Sequence, residues 1–304
     1  MITLQNHRLQ VDLLRPGSQI YNGSRFDWTG FVIQVTLDGA HTFCGPESSV
    51  PDEGTGGIGL CSEFRGEEAI GFDDALPGDQ FLKLGVGLLT RPDENPYTFF
   101  EEYELTPFPV TVAQDQNRIV FVQAPLPCRG YAARFTKTVS LEENCLLIHC
   151  RLDNVGERNL RTREYNHNFV SINRRCFGSG YKLTLPFDPH PEDCDGPYLC
   201  VGREITWPEP VLEAYFSPME RFAGAGPGAW ELHHAESGVR LREETDFPWR
   251  SFALFGTHSV VCPEAFIEID LAPADTLEWT RKYEFCADAK FQNGSGPRKT
   301  ANHV

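Results

Sequence analysis

The chain has 304 residues, 40% of them apolar and 12% aromatic, which is ample for a buried core and argues against disorder except at the ends. Its 27 Lys and Arg against 43 Asp and Glu leave a formal charge of −16, which opposes binding to nucleic-acid phosphates and to anionic membrane surfaces. The opening Met1-Ile2-Thr3-Leu4-Gln5-Asn6-His7 has no basic region followed by an apolar run, and no later stretch approaches the roughly 18 apolar residues of a membrane helix, so a soluble, cytoplasmic protein is expected.

In chain order the pattern is β almost throughout. Ser24-Arg25-Phe26-Asp27-Trp28-Thr29 sets Arg25 beside aromatics at a strand start, where it either points into a cleft or pairs with Asp27. Gly30 to Leu37 reads as a strand closed by the turn Asp38-Gly39. Glycines 56, 57 and 59 make a turn; without a following helix they are not a nucleotide loop, and no dinucleotide cofactor is implied. Glu63, Arg65 and Lys83 then supply charge within apolar surroundings. The cations either hold a carboxylate or phosphate of a substrate, lower the pKa of a nearby acid, or form structural salt bridges with Glu63 or Asp73.

Arg118 to Gln123 is a further strand. Ala133 to Leu141 alternates at period two and, through the turn Glu142-Glu143-Asn144, predicts a hairpin with Cys145 to Leu152. The turn Asn154-Val155-Gly156-Glu157 leads into a strand containing Glu164-Tyr165-Asn166-His167-Asn168-Phe169. Later strands are expected at 182–186, 230–234, 239–242, 252–255, 266–269 and 277–285. With helical periodicity nearly absent, the reading is all-β: two large packed antiparallel sheets in one continuous domain, residues 1–290, and a flexible tail, 291–304.

The ten cysteines are scattered, with no Cys-x-x-Cys pair, and reduced thiols are the default expectation. His190, Cys194 and Cys200 are the nearest approach to a zinc ligand set, but their spacing fits no standard finger, and a polar, proline-rich surface loop is the plainer reading. Of the other histidines, His233 and His234 alternate faces of a strand, so that one is exposed and the other packed. His149 reads as structural and His258 as solvated.

His167 and, about a hundred residues later, Glu264 in Cys262-Pro263-Glu264-Ala265-Phe266 are each single titratable groups among apolar and aromatic neighbours. A histidine titrating near about 6.5 and a carboxylate that burial raises from about 4.3 are the side chains best suited to moving protons near neutral pH. The alternative for His167 is a hydrogen-bonded core residue.

These segments, with Ser237-Gly238-Val239-Arg240-Leu241, Phe247-Pro248-Trp249 and the closing Tyr283-Glu284-Phe285, resemble in order and content the galactose mutarotase-like, or aldose 1-epimerase, superfamily over residues 20 to 286. The resemblance implies a β-supersandwich and cofactor-independent sugar chemistry. Glu264 would take the anomeric proton and His167 would protonate the ring oxygen, with Asn166, Phe169, Phe266 and Trp249 around the sugar. The chain departs from the family pattern in having no histidine between His41 and His149, where a second active-site histidine is usual; Lys83 is the obvious polar replacement. The segment around Glu63 and Arg65 faintly resembles one of the hexose-phosphate epimerases.

Three functions stay open at this point. The first is epimerisation at an anomeric carbon. The second is lyase or hydrolase chemistry on a carbohydrate, for which Lys83 or Glu63 near Glu264 would speak. The third is sugar binding without turnover. A small carbohydrate is the expected partner in each, no metal is expected, and exposed edge strands leave a homodimer open.

Overall fold

The computed structural model describes residues 1–48, 50, 54–65, 69–219 and 226–288; the expected tail, 291–304, lies outside them. Alternation builds the strands. Along Ala133–Glu142, Phe135, Val139 and Leu141 face inward between more exposed neighbours, as a half-buried strand requires. The tight turn to Cys145–Asn154 needs a residue in the left-handed region, and Glu143 takes it at φ 53°.

Two large antiparallel sheets result. The first runs Ile2–Gln5, Leu9–Leu13, Val32–Leu37, Leu60–Phe64, Leu160–Asn168, Val261–Leu271, Ser251–Gly256 and Tyr215–Met219, with His41–Thr42 paired onto Val32–Leu37. The second runs Leu199–Val201, Glu204–Thr206, Tyr181–Thr184, Ala229–His234, Val239–Thr245, Thr276–Ala287, Cys145–Asn154, Ala133–Glu142, Arg118–Gln123 and Val110–Gln114. A small sheet of Gln80–Lys83, Gly87–Thr90 and Leu105–Pro107 stands apart from both. Helix among the described residues is confined to the 3-10 turns Ile172–Arg174 and Pro191–Asp193, and no helix is long and apolar enough to cross a membrane.

The inner faces of the large sheets meet through aromatic edges. Phe64 packs on Phe135 and Trp279 at ring separations of 5.1 and 6.3 Å, and Phe43 on Phe285 at 4.7 Å. Charge is buried here as well. Arg281 bridges Glu164 at 2.8 Å and Glu243 at 2.9 Å, and the indoles of Trp279 and Trp230 donate to the same two carboxylates. Each buried ion therefore has partners, the condition for tolerating it inside a protein. Lys137 similarly serves Asp27 and Ser62 beneath the Leu60–Phe64 strand.

Two expectations need correction. The thiols are not all reduced: Cys194 and Cys200 form a disulfide. His190 is exposed, with Nδ1 accepting from the Glu192 backbone N–H, so the loop assembles no zinc site. His149, read as structural, is half-exposed beside Thr280, because its face of the strand looks to solvent. His234 is buried against Ser237 while His233 is partly exposed, as alternation predicts.

Candidate functional site

The strand Leu160–Asn168 lies at the centre of the first sheet, and its period of two sorts its residues. Arg163, Tyr165, His167 and then Phe169 face outward into a cleft; Glu164, Asn166 and Asn168 face the interior and the second sheet. Register aligns the neighbouring strands. Glu63 lies opposite Tyr165 and Cys61 opposite His167 on one side, and Phe266 opposite Tyr165 on the other. Glu264 falls two residues before Phe266, on the same face, and so beside His167.

Proline shapes this spot. Pro263 has no N–H for a sheet ladder. The pairing of the histidine and glutamate strands stops at Tyr165–Phe266 and resumes only at the bridge Val170–Val261. Within the gap the Asn168 side chain donates to the Pro263 carbonyl at 2.7 Å. His167 and Glu264 occupy the open stretch.

There His167 is held at both ring nitrogens, Nδ1 2.7 Å from Glu264 Oε1 and Nε2 3.0 Å from Glu63 Oε2. Its ring stacks on Phe169 at 5.5 Å and meets the edge of Phe26. Gly57 makes room for this stack, since a Cβ there would come within 2.4 Å of the Phe169 ring. Burial pulls the imidazolium pKa down, but the charge of Glu264 and hydrogen bonds to both carboxylates outweigh it, and the pKa is raised above its ordinary value. Glu63 is fully buried, and its Oε2 also accepts from Tyr165 Oη at 2.8 Å and Arg25 Nε at 2.9 Å. Burial favours its protonation, yet Arg25, Lys83 and His167 reverse this and hold its pKa well below the usual range.

The cleft has a volume of about 580 Å³, within the roughly 300–1,000 Å³ typical of small-molecule sites. His167 and Glu264 lie in its wall with Tyr165, Phe169, Phe255 and Phe266, and Arg25, Arg65 and Arg163 bring positive charge. Phe99 is clasped between two guanidinium groups, 4.2 Å from that of Arg25 and 4.6 Å from that of Arg65. Arg65 is exposed, whereas Arg163 pairs with Glu268 at 3.0 Å.

Of the residues singled out in the sequence, His167, Glu264, Arg25, Arg65, Phe169 and Phe266 reach this cleft. Glu63 stands behind His167 rather than in the cleft. Lys83 lies deeper, its Nζ donating to the Phe64 carbonyl at 2.7 Å and sitting 3.6 Å from Glu63 Oε1. Asn166 points to the interior, where it donates to Tyr283 Oη at 2.7 Å. Trp249 is packed on Phe252 and Phe187 and donates to Thr245 Oγ1, away from the cleft. Sequence reasoning missed Tyr165 and Arg163, although both share His167's alternation. It also missed Phe99, whose loop carries no periodic signal.

The fold is the galactose mutarotase-like supersandwich. A galactose mutarotase-like protein from Clostridium acetobutylicum aligns with a TM-score of 0.58 at 10% identity, covering 94% of this chain and 95% of that one. An aldose epimerase homologue from C. elegans aligns at 0.57 and 11% identity, over 94% and 98%. The galactose 1-epimerase of Lactobacillus acidophilus NCFM gives 0.51 and 13% identity, over 93% of each chain. No family profile matches the sequence, and no curated protein does.

Proposed function

We propose that the protein is a cofactor-independent carbohydrate epimerase that interconverts the anomers of a sugar or sugar derivative. The observation that carries the reading is the contact between His167 and Glu264 in the wall of an aromatic-lined cleft. The anomeric hydroxyl and ring oxygen of an aldose share one carbon, so an acid and a base that are neighbours before substrate enters can serve both. Glu264 takes the proton of the anomeric hydroxyl while His167 gives one to the ring oxygen, and the C1–O5 bond breaks. After rotation of the aldehyde the same two transfers run in reverse on its other face. Transfers of this kind contribute about 10²–10⁴-fold in rate. Glu63 keeps the far nitrogen of His167 bonded and supports its positive charge.

Phe169, Phe255 and Phe266 offer flat apolar walls to the C–H faces of a pyranose. The exposed guanidinium of Arg65 suits a substrate carrying a carboxylate or phosphate. A retaining or inverting hydrolase needs two carboxylates flanking the scissile bond; Glu63, 0% exposed and screened by His167, is poorly placed for that role.

The test is polarimetry or proton NMR exchange on free aldoses, uronic acids and sugar phosphates, with Glu264→Gln and His167→Asn alongside the native protein. Accelerated interconversion that both variants lose supports the reading. Binding without acceleration for any sugar overturns it in favour of a sugar-binding protein.

A further inference from the structure

A third side chain converges on the pair. Cys262 and Glu264 are two residues apart on one strand and so share a face, and Cys262 Sγ lies 3.3 Å from the same Glu264 Oε1 that His167 Nδ1 approaches at 2.7 Å. Nitrogen, sulfur and oxygen all lie within 4.8 Å of one another, and all three residues are buried. From this convergence we propose that His167, Cys262 and Glu264 form a binding site for a thiophilic divalent cation such as Zn²⁺, with its remaining coordination position directed to the cleft.

The dimensions are close to what such an ion needs. With bonds of about 2.0–2.1 Å to nitrogen and oxygen and about 2.3 Å to sulfur, tetrahedral geometry sets N···O at about 3.3 Å and both S···O and N···S at about 3.6 Å. The present N···O separation of 2.7 Å therefore opens by about 0.6 Å and the S···O separation of 3.3 Å by about 0.3 Å, while nitrogen and sulfur, within 4.8 Å, settle at about 3.6 Å, shifts that side-chain rotation supplies. One imidazole, one thiolate and one carboxylate make a borderline-soft donor set suited to zinc or cobalt rather than magnesium or calcium.

The outer shell argues independently for the same use. A metal-bound histidine commonly passes its other ring N–H to a carboxylate, which fixes the tautomer and raises its basicity as a ligand. His167 does so: Nε2 meets Glu63, and Glu63 is itself anchored by Arg25 and Tyr165. With Nε2 held in this way, loss of the proton that lies between Nδ1 and Glu264 Oε1 frees the Nδ1 lone pair for a metal beside Glu264 and Cys262. On binding, the cation displaces two protons, that of the thiol and the one between His167 Nδ1 and Glu264 Oε1; both leave to solvent, and the sulfur bonds to the metal as thiolate.

One consequence rests on the epimerase reading above. The cation occupies the nitrogen and oxygen that would move the protons, so a loaded site cannot run the anomeric reaction, and Zn²⁺ acts as a reversible inhibitor competing with sugar.

The experiment is a titration of the reduced, chelator-treated full chain with Co²⁺ alone, read by absorbance, with no sugar and no turnover needed. A 1:1 end point with a thiolate-to-cobalt charge-transfer band is expected, and Cys262→Ser should abolish the band and weaken binding at least tenfold. Cys176→Ser, which alters an exposed thiol outside the cluster, should retain it. Absence of the band in the folded native protein, or its survival in Cys262→Ser, overturns the proposal. If Cys262→Ser does not fold, anomalous scattering at the zinc edge from Zn²⁺-soaked native crystals decides, by a peak among the three side chains or none. Failure of the epimerase reading would leave the cobalt result untouched, and Zn²⁺-insensitive mutarotation by a cobalt-binding protein would refute only the competition.

Discussion

Glu63 shows how a residue can matter to a cleft it does not touch. Its carboxylate orients His167 and balances its charge, so Glu63→Gln should lower kcat by about 10²-fold with KM little changed, and, because it leaves the buried Arg25 and Lys83 without their counter-charge, it should also lower the urea midpoint. A change in KM with kcat preserved would instead make it a binding residue. Lys83, behind it, is pushed down by burial, against the opposing pull of Glu63, from the usual 10.5 to about 8. Between those two values the unfolded chain holds more protons than the native state, so the contribution of Lys83 to stability rises with pH. Relative to Lys83→Met, the native protein should therefore gain up to about 3 kcal/mol between pH 8 and about pH 10, measured by urea unfolding. A difference that stays flat with pH would show that Lys83 titrates normally.

Strand alternation made His167 and Glu264 legible, since each shares its face of a strand with aromatic residues, Tyr165 and Phe169 for the first and Phe266 for the second. The same alternation places Asn166 opposite His167's face, so its assignment to the sugar site by resemblance conflicted with the period of the strand. Glu63 was noticed as charge, but its contact with His167 depends on pairing two strands a hundred residues apart, and no local pattern encodes that register. Trp249 illustrates the reverse. It sits in a segment that resembles the family, yet its indole turns to Thr245 and the interior.

At the level of elements, the interrupted ladder around Pro263 holds the acid and base together. Asn168 substitutes a side-chain donor for the missing backbone contact and ties the same strand to Glu243 on the second sheet. Asn168→Ala leaves a buried carbonyl and carboxylate short of a donor and should destabilise by about 1–3 kcal/mol. Its effect on kcat should exceed that on KM, because Glu264 follows Pro263 directly. Urea unfolding and steady-state kinetics on the variant would test this, and unchanged values of both would show that the proline gap needs no such tie. The long strands were readable in the sequence because they alternate over nine or more positions. The short N-terminal hairpin and the strands of the small sheet were not, since four or five residues carry too little pattern to distinguish from loop.

Across the whole molecule, the two sheets are joined by buried charge as well as by apolar packing. Among the described residues, Arg281 is the cation bonded to both Glu164 and Glu243. Arg281→Met would strand two buried carboxylates, and a loss of about 3–5 kcal/mol is expected, seen as a lower urea midpoint. Recovery in a triple variant that also carries Glu164→Gln and Glu243→Gln would assign the loss to the uncompensated charges rather than to packing. Composition and alternation pointed to two large sheets, but the ion network between them was invisible, because its members are far apart in sequence and each alone reads as surface charge.

The small sheet at residues 80–107 divides its allegiance. Leu82, Leu84 and Leu88 join the main core, while Phe81, Leu89, Phe72 and Val86 form a separate cluster with Tyr97 and Tyr103. A segment with its own aromatic nucleus can detach as a unit, with an opening free energy of its own below that of global unfolding. Its polar ties to the rest of the protein include the Lys83 ammonium on the Phe64 carbonyl, the Trp28 N–H on the Gly85 carbonyl and Arg129 Nε on the Gln80 carbonyl, and the loop bearing Phe99, with its two guanidinium contacts, belongs to the same segment. Native-state hydrogen exchange should therefore find the amides of residues 80–90 exchanging together and earlier than those of Cys145–Asn154. Lys83→Met should hasten the first group more than it hastens the second. Equal protection in both would make the rim and the sheets one cooperative unit. If the two differ, the Phe99 side of the cleft lives on a faster clock than the acid and base, so that the wall a sugar meets there is less fixed than the groups that act on it.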